Sequence, residues 1–290
     1  MHVFFNRVAI IGIGLLGGSV GLALKAKGIC GKIVGVGRSR SSIETGLSMG
    51  AVDEAVADLS QAAAGADLVV VCTPVGSIAR IIAEMDDSLG DSCVVTDVGS
   101  TKRSIVTAVE RLRRAGPKFV GSHPLTGSEK KGVQHASAEL FEGATVFLTP
   151  TASTNRRVTE IVRGMWERLG GSAVELKPEI HDRVVAQTSH LPHVIAAMLV
   201  AGVRTLPKEY ADLTGKGFLD TTRIASSDPE MWADICMNNS SEIRAAMATL
   251  RSDLDEFDLH LNEDRYEKVF EFFRSVKTVR DSLNQERSDE

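Results

Sequence analysis

Short, almost continuous apolar runs alternate with amphipathic stretches through the first half of the chain. The runs are rich in valine and isoleucine and several end near glycine, which is typical of buried parallel strands. They lie at residues 8–12, 33–36, 68–72, 93–96, 119–120, 144–148 and 173–176. Because helical patterns separate them, the pattern predicts an α/β fold, a doubly wound Rossmann-type parallel sheet with helices on both faces.

The pattern changes after residue 176. We find no convincing strand beyond residue 178, and helical periodicity covers residues 180–203, 228–262 and 264–283. The sequence therefore predicts two domains, a dinucleotide-binding Rossmann domain at residues 1–177 and an all-helical substrate and dimerisation domain at residues 178–290. A helical domain with broad apolar faces after a Rossmann domain often dimerises, so we expect a homodimer by architectural analogy.

Composition narrows the classes of function. The chain has 290 residues, 43% hydrophobic and 24% charged, which is enough to form a sizeable core. Its net charge of −5 gives no basic footprint for nucleic acid. The four scattered cysteines have no metal or redox spacing, no signal peptide precedes the first strand, and no apolar run is long enough to span a membrane. We expect a cytoplasmic protein without a membrane partner.

A glycine motif follows the first predicted strand and opens the first helix. Its residues are Gly12, Gly14, Leu15, Leu16 and Gly17. The glycines permit a tight turn, close approach of a diphosphate to the backbone, and close packing of helix on strand. The N–H groups at the helix start then attract the phosphates, and Ser19 could donate to one of them. The alternative is a tight turn without a ligand, which this strand–turn–helix context disfavours.

The end of the second strand indicates which dinucleotide binds. An NAD site usually has an acidic residue there to hold the ribose 2′-hydroxyl. Here Arg38, Ser39 and Arg40 follow the strand, and no carboxylate appears before Glu44. A guanidinium matches a phosphate in charge and geometry, so the sequence favours NADP. The alternative is that Arg38 only stacks on adenine and NAD is also accepted.

Two further loops should face the cofactor, because ligands bind beyond the carboxyl ends of strands in such sheets. Thr73 and Pro74 follow the run at 68–72 and would line the nucleotide. Ser100 follows the run at 93–96 and would approach the nicotinamide. Ser100 could equally cap the helix predicted at 102–114, and both readings stay open.

Several longer motifs occur in one order between about residues 7 and 275. Besides the glycine motif they are Asp97-Val-Gly-Ser100-Thr-Lys102, Gly121-Ser-His123-Pro-Leu-Thr-Gly-Ser-Glu129, Thr188-Ser-His190-Leu-Pro-His193 and Gly217-Phe-Leu-Asp220-Thr-Thr-Arg223. Together they resemble the prephenate/arogenate (cyclohexadienyl) dehydrogenase family. The resemblance implies oxidative decarboxylation of prephenate or arogenate in tyrosine biosynthesis, with hydride transfer to NAD(P) and 4-hydroxyphenylpyruvate or tyrosine as the product.

The resemblance gives roles to particular residues. A neutral His123 would accept the proton of the ring C4 hydroxyl as hydride leaves, and Ser100 would share or orient that hydroxyl. Arg223 would hold a substrate carboxylate through its planar fork. Taken alone, His123 could be a loop histidine satisfied by backbone, and Arg223 a surface ion pair of little energetic value.

The remaining candidates support the substrate or the domain interface. His193 would bind the substrate side chain and His190 would support it, although His190 is equally a packed helix histidine. Pro192 lies between them and should interrupt the helix. Glu129, Asp220 and Trp232 are predicted to organise the interface between the domains. A zinc site built from the three histidines is conceivable, but hydride transfer needs no metal and we predict none.

Two other functions remain as alternatives. One is a dehydrogenase for β-hydroxy acids or 6-phosphogluconate, which would require a catalytic lysine in the helical domain. Lys216 is the nearest candidate. The other is a non-catalytic NADP-binding sensor, which would bind the dinucleotide without turning over prephenate or arogenate.

Overall fold

The computed structural model of the protein describes residues 4–126, 130–211 and 213–285. The chain divides into two compact units between Ser240 and Ser241. The first unit contains the sheet and the sites described below, and the second contains two long helices.

The first unit is built on a sheet of eight strands. They are β1 (Phe5–Ile11), β2 (Cys30–Val36), β3 (Glu54–Ala55), β4 (Leu68–Val71), β5 (Val94–Asp97), β6 (Phe119–Pro124), β7 (Thr145–Thr149) and β8 (Ser172–Glu175). Their order is β3-β2-β1-β4-β5-β6-β7-β8, with β1 between β2 and β4. This is the doubly wound arrangement, so the Rossmann-type prediction is confirmed.

Two details of the sheet differ from the sequence prediction. Strand β7 runs antiparallel to β6, with His123 opposite Phe147, whereas an all-parallel sheet was expected. Parallel neighbours need a long crossover connection, usually a helix. The described part of the β6–β7 connection contains only the 3₁₀ turn Val133–His135. The second difference is β3, whose two residues are too few to give an apolar pattern.

Thirteen α-helices complete the described part of the chain. They are α1 (Leu15–Ala26), α2 (Arg40–Ser48), α3 (Leu59–Ala63), α4 (Val75–Met85), α5 (Arg103–Val109), α6 (Arg156–Arg168), α7 (Pro178–Val185), α8 (Leu191–Val203), α9 (Lys208–Ala211), α10 (Lys216–Thr222), α11 (Pro229–Asn238), α12 (Ser240–Asn262) and α13 (Tyr266–Gln285). Within the described residues after Pro178 all regular structure is helical, as the periodicity predicted.

The core consists of two apolar layers, one on each face of the sheet. In β1, Val8 and Ile10 belong to one layer, while Ala9 and Ile11 belong to the other. Because both faces of the strand are covered from Val8 to Ile11, each of these positions is apolar, which explains the continuous valine and isoleucine runs. The loops that follow the strands start from the carboxyl edge of this buried sheet.

Helices α7 and α8 are joined by a π-helical turn, Ala186–His190. Pro192 follows directly and has no N–H to continue the α-helical bonding, so the predicted interruption is present. The whole stretch Pro178–Val203 is long and apolar enough, by length and composition, to span a membrane, and 28% of its most apolar window is buried. The sequence prediction that no such run exists was wrong, because it did not join these segments into one helix.

The two edge strands of the sheet are short and carry paired charges. Glu54 on β3 forms an ion pair of 2.5 Å with Lys32. Glu175 on β8 forms one of 2.6 Å with Arg163 of α6. Short charged edges offer little surface for a further strand.

The second unit consists of α12 beyond its first residue, together with α13. Phe257 of α12 packs against Phe272 and Phe273 of α13, at ring-centroid distances of 5.2 and 5.9 Å. Phe273 and Val279 remain 59% and 60% exposed, so α13 presents an apolar face in the single chain.

Candidate active site

A chain of hydrogen bonds begins at His123, near the carboxyl end of β6. The side chain is 9% exposed, and its Nδ1 lies 2.9 Å from Nε2 of His181 on α7. Nδ1 of His181 lies 2.8 Å from Oδ1 of Asp182. His181 and Asp182 are buried, and sequence reasoning did not select either of them.

The Asp182 carboxylate also holds the start of α5. It accepts the backbone N–H of Lys102 at 2.7 Å and that of Arg103 at 3.0 Å. The helix has no side-chain cap of its own. The alternative role of Ser100 as the helix cap is therefore wrong, since Asp182 satisfies these donors. Ser100 lies half-buried just before them, in the turn after β5.

The hydrogen-bond directions follow from the carboxylate. Asp182 accepts from the backbone amides and from His181, so His181 carries its proton on Nδ1. The Nε2 of a neutral His181 then accepts, and Nδ1 of His123 must donate to it. This leaves Nε2 of His123 with a lone pair. Burial lowers the pKa of His181 and holds the pKa of His123 well below its ordinary value, with the neighbouring His181 and Lys102 adding to the latter effect.

A buried ion pair lies behind the histidine. The Lys102 ammonium bonds the Asp97 carboxylate and donates to the carbonyl oxygen of Ser122 at 2.9 Å. Both side chains of the pair are 0% exposed. Burial raises the pKa of Asp97 and lowers that of Lys102, while the attraction between them opposes both shifts. The pair ties the end of β5 to the residue preceding His123 in β6.

His190 and His193 both lie against the indole of Trp232 on α11. The His193 ring stacks on it with centroids 3.4 Å apart, and the His190 ring meets it edge-on at 6.0 Å. Nδ1 of His190 lies 3.1 Å from Nδ2 of Asn239, which also donates to the carbonyl of Asp182 at 2.8 Å. Burial lowers the pKa of His190 to about 4, so His190 is a neutral, packed support. Burial also lowers the pKa of His193.

Arg223, the predicted carboxylate binder, and the remaining interface candidates differ in their surroundings. Arg223 is exposed at the end of α10 and takes part in an interaction with another group, and the 3₁₀ turn that it begins packs against α8. Asp220 is exposed on α10. Glu129 lies outside the described residues. Among the described residues near this position, Lys131 forms an ion pair with Asp228, the residue whose side chain caps α11.

The glycine motif forms a turn that only glycine fits at two positions. Gly12 has a φ of +104°, and a Cβ there would lie 2.6 Å from the carbonyl oxygen of Cys72. A Cβ on Gly17 would lie 2.0 Å from the carbonyl oxygen of Gly12. A Cβ built on Gly14 would have no other atom within 4 Å, and no side chain caps the N-terminus of α1. Free donors beside open space fit a dinucleotide diphosphate.

Residues around this turn refine the cofactor prediction. Leu15 and Leu16 are half-buried at the start of α1. Ser19 is 0% exposed and accepts the backbone N–H of Ser137 at 3.1 Å, so its suggested role as a phosphate donor was wrong. The hydroxyl of Thr73 lies 3.0 Å from that of Ser77, and Pro74 immediately precedes α4.

The loop after β2 is open to solvent. Arg38 is exposed, and no hydrogen bond or ion pair is formed by it within the described parts of the chain. Ser39 caps α2 by accepting the backbone N–H of Ser42 at 3.1 Å. Arg40 pairs with Glu44 at 2.7 Å on the surface of α2. Of the two arginines, Arg38 is thus the one available to a phosphate.

The sequence held a weak signal for the residues that were missed. His181 and Val185 lie four residues apart on one helical face, and both are buried. A polar residue on an apolar face is informative, but it does not reveal its partner. Among the residues that the structure describes, no group of three or more His, Cys, Asp or Glu side chains is placed to hold a metal ion.

Comparison with known proteins gives consistent matches along the chain. Residues 20–175 match the family "Prephenate dehydrogenase, nucleotide-binding domain", and residues 177–275 match "Prephenate dehydrogenase, dimerization domain". The chain is 32% identical to prephenate dehydrogenase of Bacillus subtilis, over 98% of this chain and 77% of that protein. It is 31% identical to cyclohexadienyl dehydrogenase of Zymomonas mobilis, over 96% of each.

A solved structure is also similar over nearly the full length. It is prephenate dehydrogenase from Aquifex aeolicus in complex with hydroxyphenyl propionate and NAD+. The TM-score is 0.91 at 33% sequence identity, and the match covers 98% of this chain and 100% of that one.

Proposed function

We propose roles for these residues from the premise that the chain belongs to the prephenate dehydrogenase family, as the sequence motifs predicted. The protein is an NAD(P)-dependent dehydrogenase that catalyses the oxidative decarboxylation of prephenate or arogenate in tyrosine biosynthesis. These matches favour neither the β-hydroxy acid alternative nor the non-catalytic sensor. When bound, the nicotinamide accepts the hydride that leaves ring C4, while CO2 leaves C1 and the ring becomes aromatic.

His123 is the proton acceptor for the C4 hydroxyl. The observation that carries this proposal is the buried chain from Asp182 through His181 to Nδ1 of His123. It fixes the tautomer in which Nε2 of His123 accepts a proton. A general base must be neutral at the working pH, and burial lowers the pKa of His123. As positive charge develops on the substrate oxygen, the neutral imidazole takes its proton. The imidazole returns the proton to the same oxygen when the electron pair released with CO2 reaches it, so the product is the neutral phenol.

Ser100 orients the same hydroxyl. Its loop is supported by the Asp182 carboxylate, which holds the amides of Lys102 and Arg103 directly after it. One buried carboxylate therefore sets the position of both Ser100 and His123. Precise mutual placement of two groups around one substrate atom is a large part of enzymatic rate enhancement.

Arg223 and His193 bind the polar ends of the substrate. The guanidinium of Arg223 suits a carboxylate in bidentate geometry, and its 3₁₀ turn packs against the helix that carries His193. The ring of His193 is oriented by its stack on Trp232. His190 supports this arrangement through Asn239 rather than by touching substrate.

NADP is the preferred cofactor. No carboxylate follows β2 before Glu44, and Glu44 is paired with Arg40. Arg38 and Ser39 follow β2, the strand from whose end such sheets contact the ribose 2′ position. The Arg38 guanidinium would balance the negative charge that a 2′-phosphate adds. NAD remains a slower substrate, and the similar Aquifex aeolicus protein was crystallised with NAD+.

The enzyme works as a cytoplasmic homodimer that binds neither membrane nor nucleic acid. The family matched at residues 177–275 is described as a dimerization domain. Met198 and Val200 of α8 are 55% and 40% exposed in the single chain, as are several aromatic residues of α13. Apolar faces of this kind are commonly buried between subunits. The domain boundary at residue 177, and interface roles for Glu129 and Asp220, belong to this proposal.

The decisive experiment measures steady-state kinetics on four combinations, prephenate or arogenate with NADP+ or NAD+. We expect turnover with at least one of the two substrates and a higher kcat/KM with NADP+ than with NAD+. Higher kcat/KM with NAD+ would refute the cofactor assignment and leave the reaction standing. The proposed homodimer is tested separately by size-exclusion chromatography with light scattering. The measured mass should be twice that of one chain.

A further inference from the structure

A carboxylate on α11 reaches the start of α4, the helix that follows the proposed cofactor turn. Oδ2 of Asp234 accepts the backbone N–H of Gly76 at 2.9 Å. Gly76 is the second residue of α4, and Thr73 and Pro74 immediately precede that helix. Pro74 offers no side-chain oxygen for capping. Asp234 therefore supplies from another helix the acceptor that this N-terminus lacks.

Two features show that the carboxylate is held in place. The Asn238 amide donates to Oδ1 of Asp234 and to its carbonyl oxygen, each at 2.9 Å. A Cβ on Gly76 would lie 2.6 Å from Oδ1 of Asp234, so any side chain here would displace the carboxylate. Gly76 has no left-handed φ to explain a glycine. The missing side chain makes room for the carboxylate instead.

The same helix carries contacts to the proposed substrate residues. Trp232, two residues before Asp234, stacks on His193. Asn239, directly after the helix, bonds His190. Between them Ile235 is 3% exposed and belongs to the apolar layer that includes Ile78 of α4. The helix is thus anchored in the core, with the contacts to both histidines at or near its two ends.

We propose that Asp234 is a positioning residue that couples cofactor binding to substrate binding. A shift of the Thr73–Pro74 turn when the dinucleotide binds passes through the Gly76–Asp234 bond to α11, and so to the indole that orients His193. The inference rests on the roles proposed above for Thr73, Pro74 and His193. Coupling between two sites is reciprocal, so each ligand should tighten the other by the same factor.

The test compares binding of NADP+ with and without saturating product by isothermal titration calorimetry. The product is 4-hydroxyphenylpyruvate, or tyrosine if only arogenate is turned over. In the wild-type protein the product should lower the Kd of NADP+ by about fivefold or more, the usual range for coupled sites. In Asp234→Ala this factor should fall towards one.

Asp58→Ala provides the matched control. Asp58 also caps a helix with its carboxylate, accepting the N–H of Gln61 at 2.7 Å at the start of α3. It should lower thermal stability without changing the coupling factor. If the wild-type factor is already one, if Asp234→Ala keeps it, or if Asp58→Ala removes it equally, the inference is wrong.

A second arm keeps the test valid if Asp234→Ala is poorly folded. Gly76→Ala places a methyl group against the carboxylate and should reduce the coupling factor in the wild-type background. In the Asp234→Ala background the same change should have no further effect. Equal effects in both backgrounds would show that the two residues act independently. If the wild-type protein turned over neither prephenate nor arogenate, the proposed function would be refuted. A failure of the coupling inference and a failure of the proposed function therefore give different results.

Discussion

The cluster around His123 and the loop around Arg38 both follow parallel strands at the carboxyl edge of one sheet, yet they are built in opposite ways. Around His123 the polar groups are buried, and Asp182, His181 and Lys102 bond to other protein atoms. Around Arg38 the side chains are exposed. The polar groups of the first region are bonded to one another, whereas Arg38 in the second region is open to solvent.

This difference fits the roles proposed for the two regions. A proton acceptor needs one tautomer and one orientation, which buried hydrogen bonds fix because they are strong in a low dielectric and costly to break. A phosphate anchor needs charge and reach, and exposed guanidinium groups provide both at little cost to folding. Substitutions should therefore have large effects on folding and rate in the first region, and modest effects on affinity in the second.

The largest effect is expected from Lys102→Met, which leaves the Asp97 carboxylate buried without its counter-ion. Removing one partner of a buried pair costs about 3–5 kcal/mol, to be measured by urea unfolding. Asp97→Asn combined with Lys102→Met should recover part of that loss.

The matched control for that prediction is Lys27→Met. Lys27 pairs with Glu142 at 3.1 Å on the surface, with side chains 37% and 51% exposed. Exposed pairs contribute less than about 1 kcal/mol. Equal losses from the two lysine substitutions would remove the distinction between the buried and the exposed region.

The next effect concerns the rate. In His123→Asn the amide nitrogen can keep the contact that Nδ1 makes with His181, but nothing replaces the basic Nε2. Turnover should fall about a hundredfold or more, the usual contribution of a general base. The Kd of NADP+ should stay within twofold, which calorimetry can check. Unchanged turnover would exclude His123 as the base.

A smaller loss of rate is expected from His181→Leu. This change leaves the Nδ1–H of His123 buried without an acceptor, which costs about 1–3 kcal/mol. Turnover should fall about tenfold or more, because the ring loses its orientation. His181→Gln supplies an acceptor oxygen close to the position of Nε2 and should retain more of the rate. The role fails if the leucine and glutamine variants are equally active.

Stability should also depend on pH through the buried histidines. The folded-state pKa of His190 is lowered to about 4, and those of His123 and His181 are lowered too. The unfolded chain takes up protons near pH 6.5, while the folded chain does not. The contribution of these neutral histidines to the free energy of unfolding is therefore fully present above about pH 6.5. It is lost as the pH falls towards 4, by up to about 1.4 kcal/mol per pH unit for each histidine.

Urea unfolding at several pH values between 7 and 4.5 measures this slope. The variant His190→Gln removes one of the titrating groups and should give a shallower dependence. If the unfolding free energy does not change over this interval, the histidines are not held neutral by the fold.

The smallest effect belongs to the open loop. Arg38→Ala should raise the KM for NADP+ by up to about tenfold, the equivalent of one charge-assisted hydrogen bond near water. The KM for NAD+ should change less. Arg156→Ala, which removes an exposed arginine paired with Glu160 on α6, serves as the control. An unchanged KM for NADP+ would argue for a simple stacking role of Arg38.

Periodicity predicted those parts of the fold that depend on local pattern. The strands β1, β2 and β4 were found because each contains a run of buried apolar residues. Helix α1 was found because Gly28 follows its end, where the backbone has a φ of +61°. The reversal of β7 was not predictable, because the direction of a strand leaves no trace in its own residues. It depends on the length and structure of the connection that precedes it.

For the site, the sequence motifs and their resemblance to a known family identified His123, His190 and His193 as candidates, but they did not show which residues hold them in place. His181 and Asp182 are separated from His123 by 58 and 59 positions, and only folding brings α7 beside β6. The same limit applies to Ser19 and Ser100. Ser19 looked suited to a phosphate, but in the structure its hydroxyl is buried and accepts the backbone N–H of Ser137. Ser100 looked suited to a helix cap, but the N–H of Lys102 is bonded by Asp182 instead.

The short edge strands also bear on how copies of this chain can associate. At one edge β3 offers two residues, and at the other β8 offers four, flanked by the paired charges of Glu54 and Glu175. A continuous sheet across two subunits would need a longer row of free backbone groups at one of these margins. Pairing between exposed strand edges is also a route to aggregation and amyloid. The geometry directs association towards helical faces and gives crowded or heated protein little template for cross-β growth.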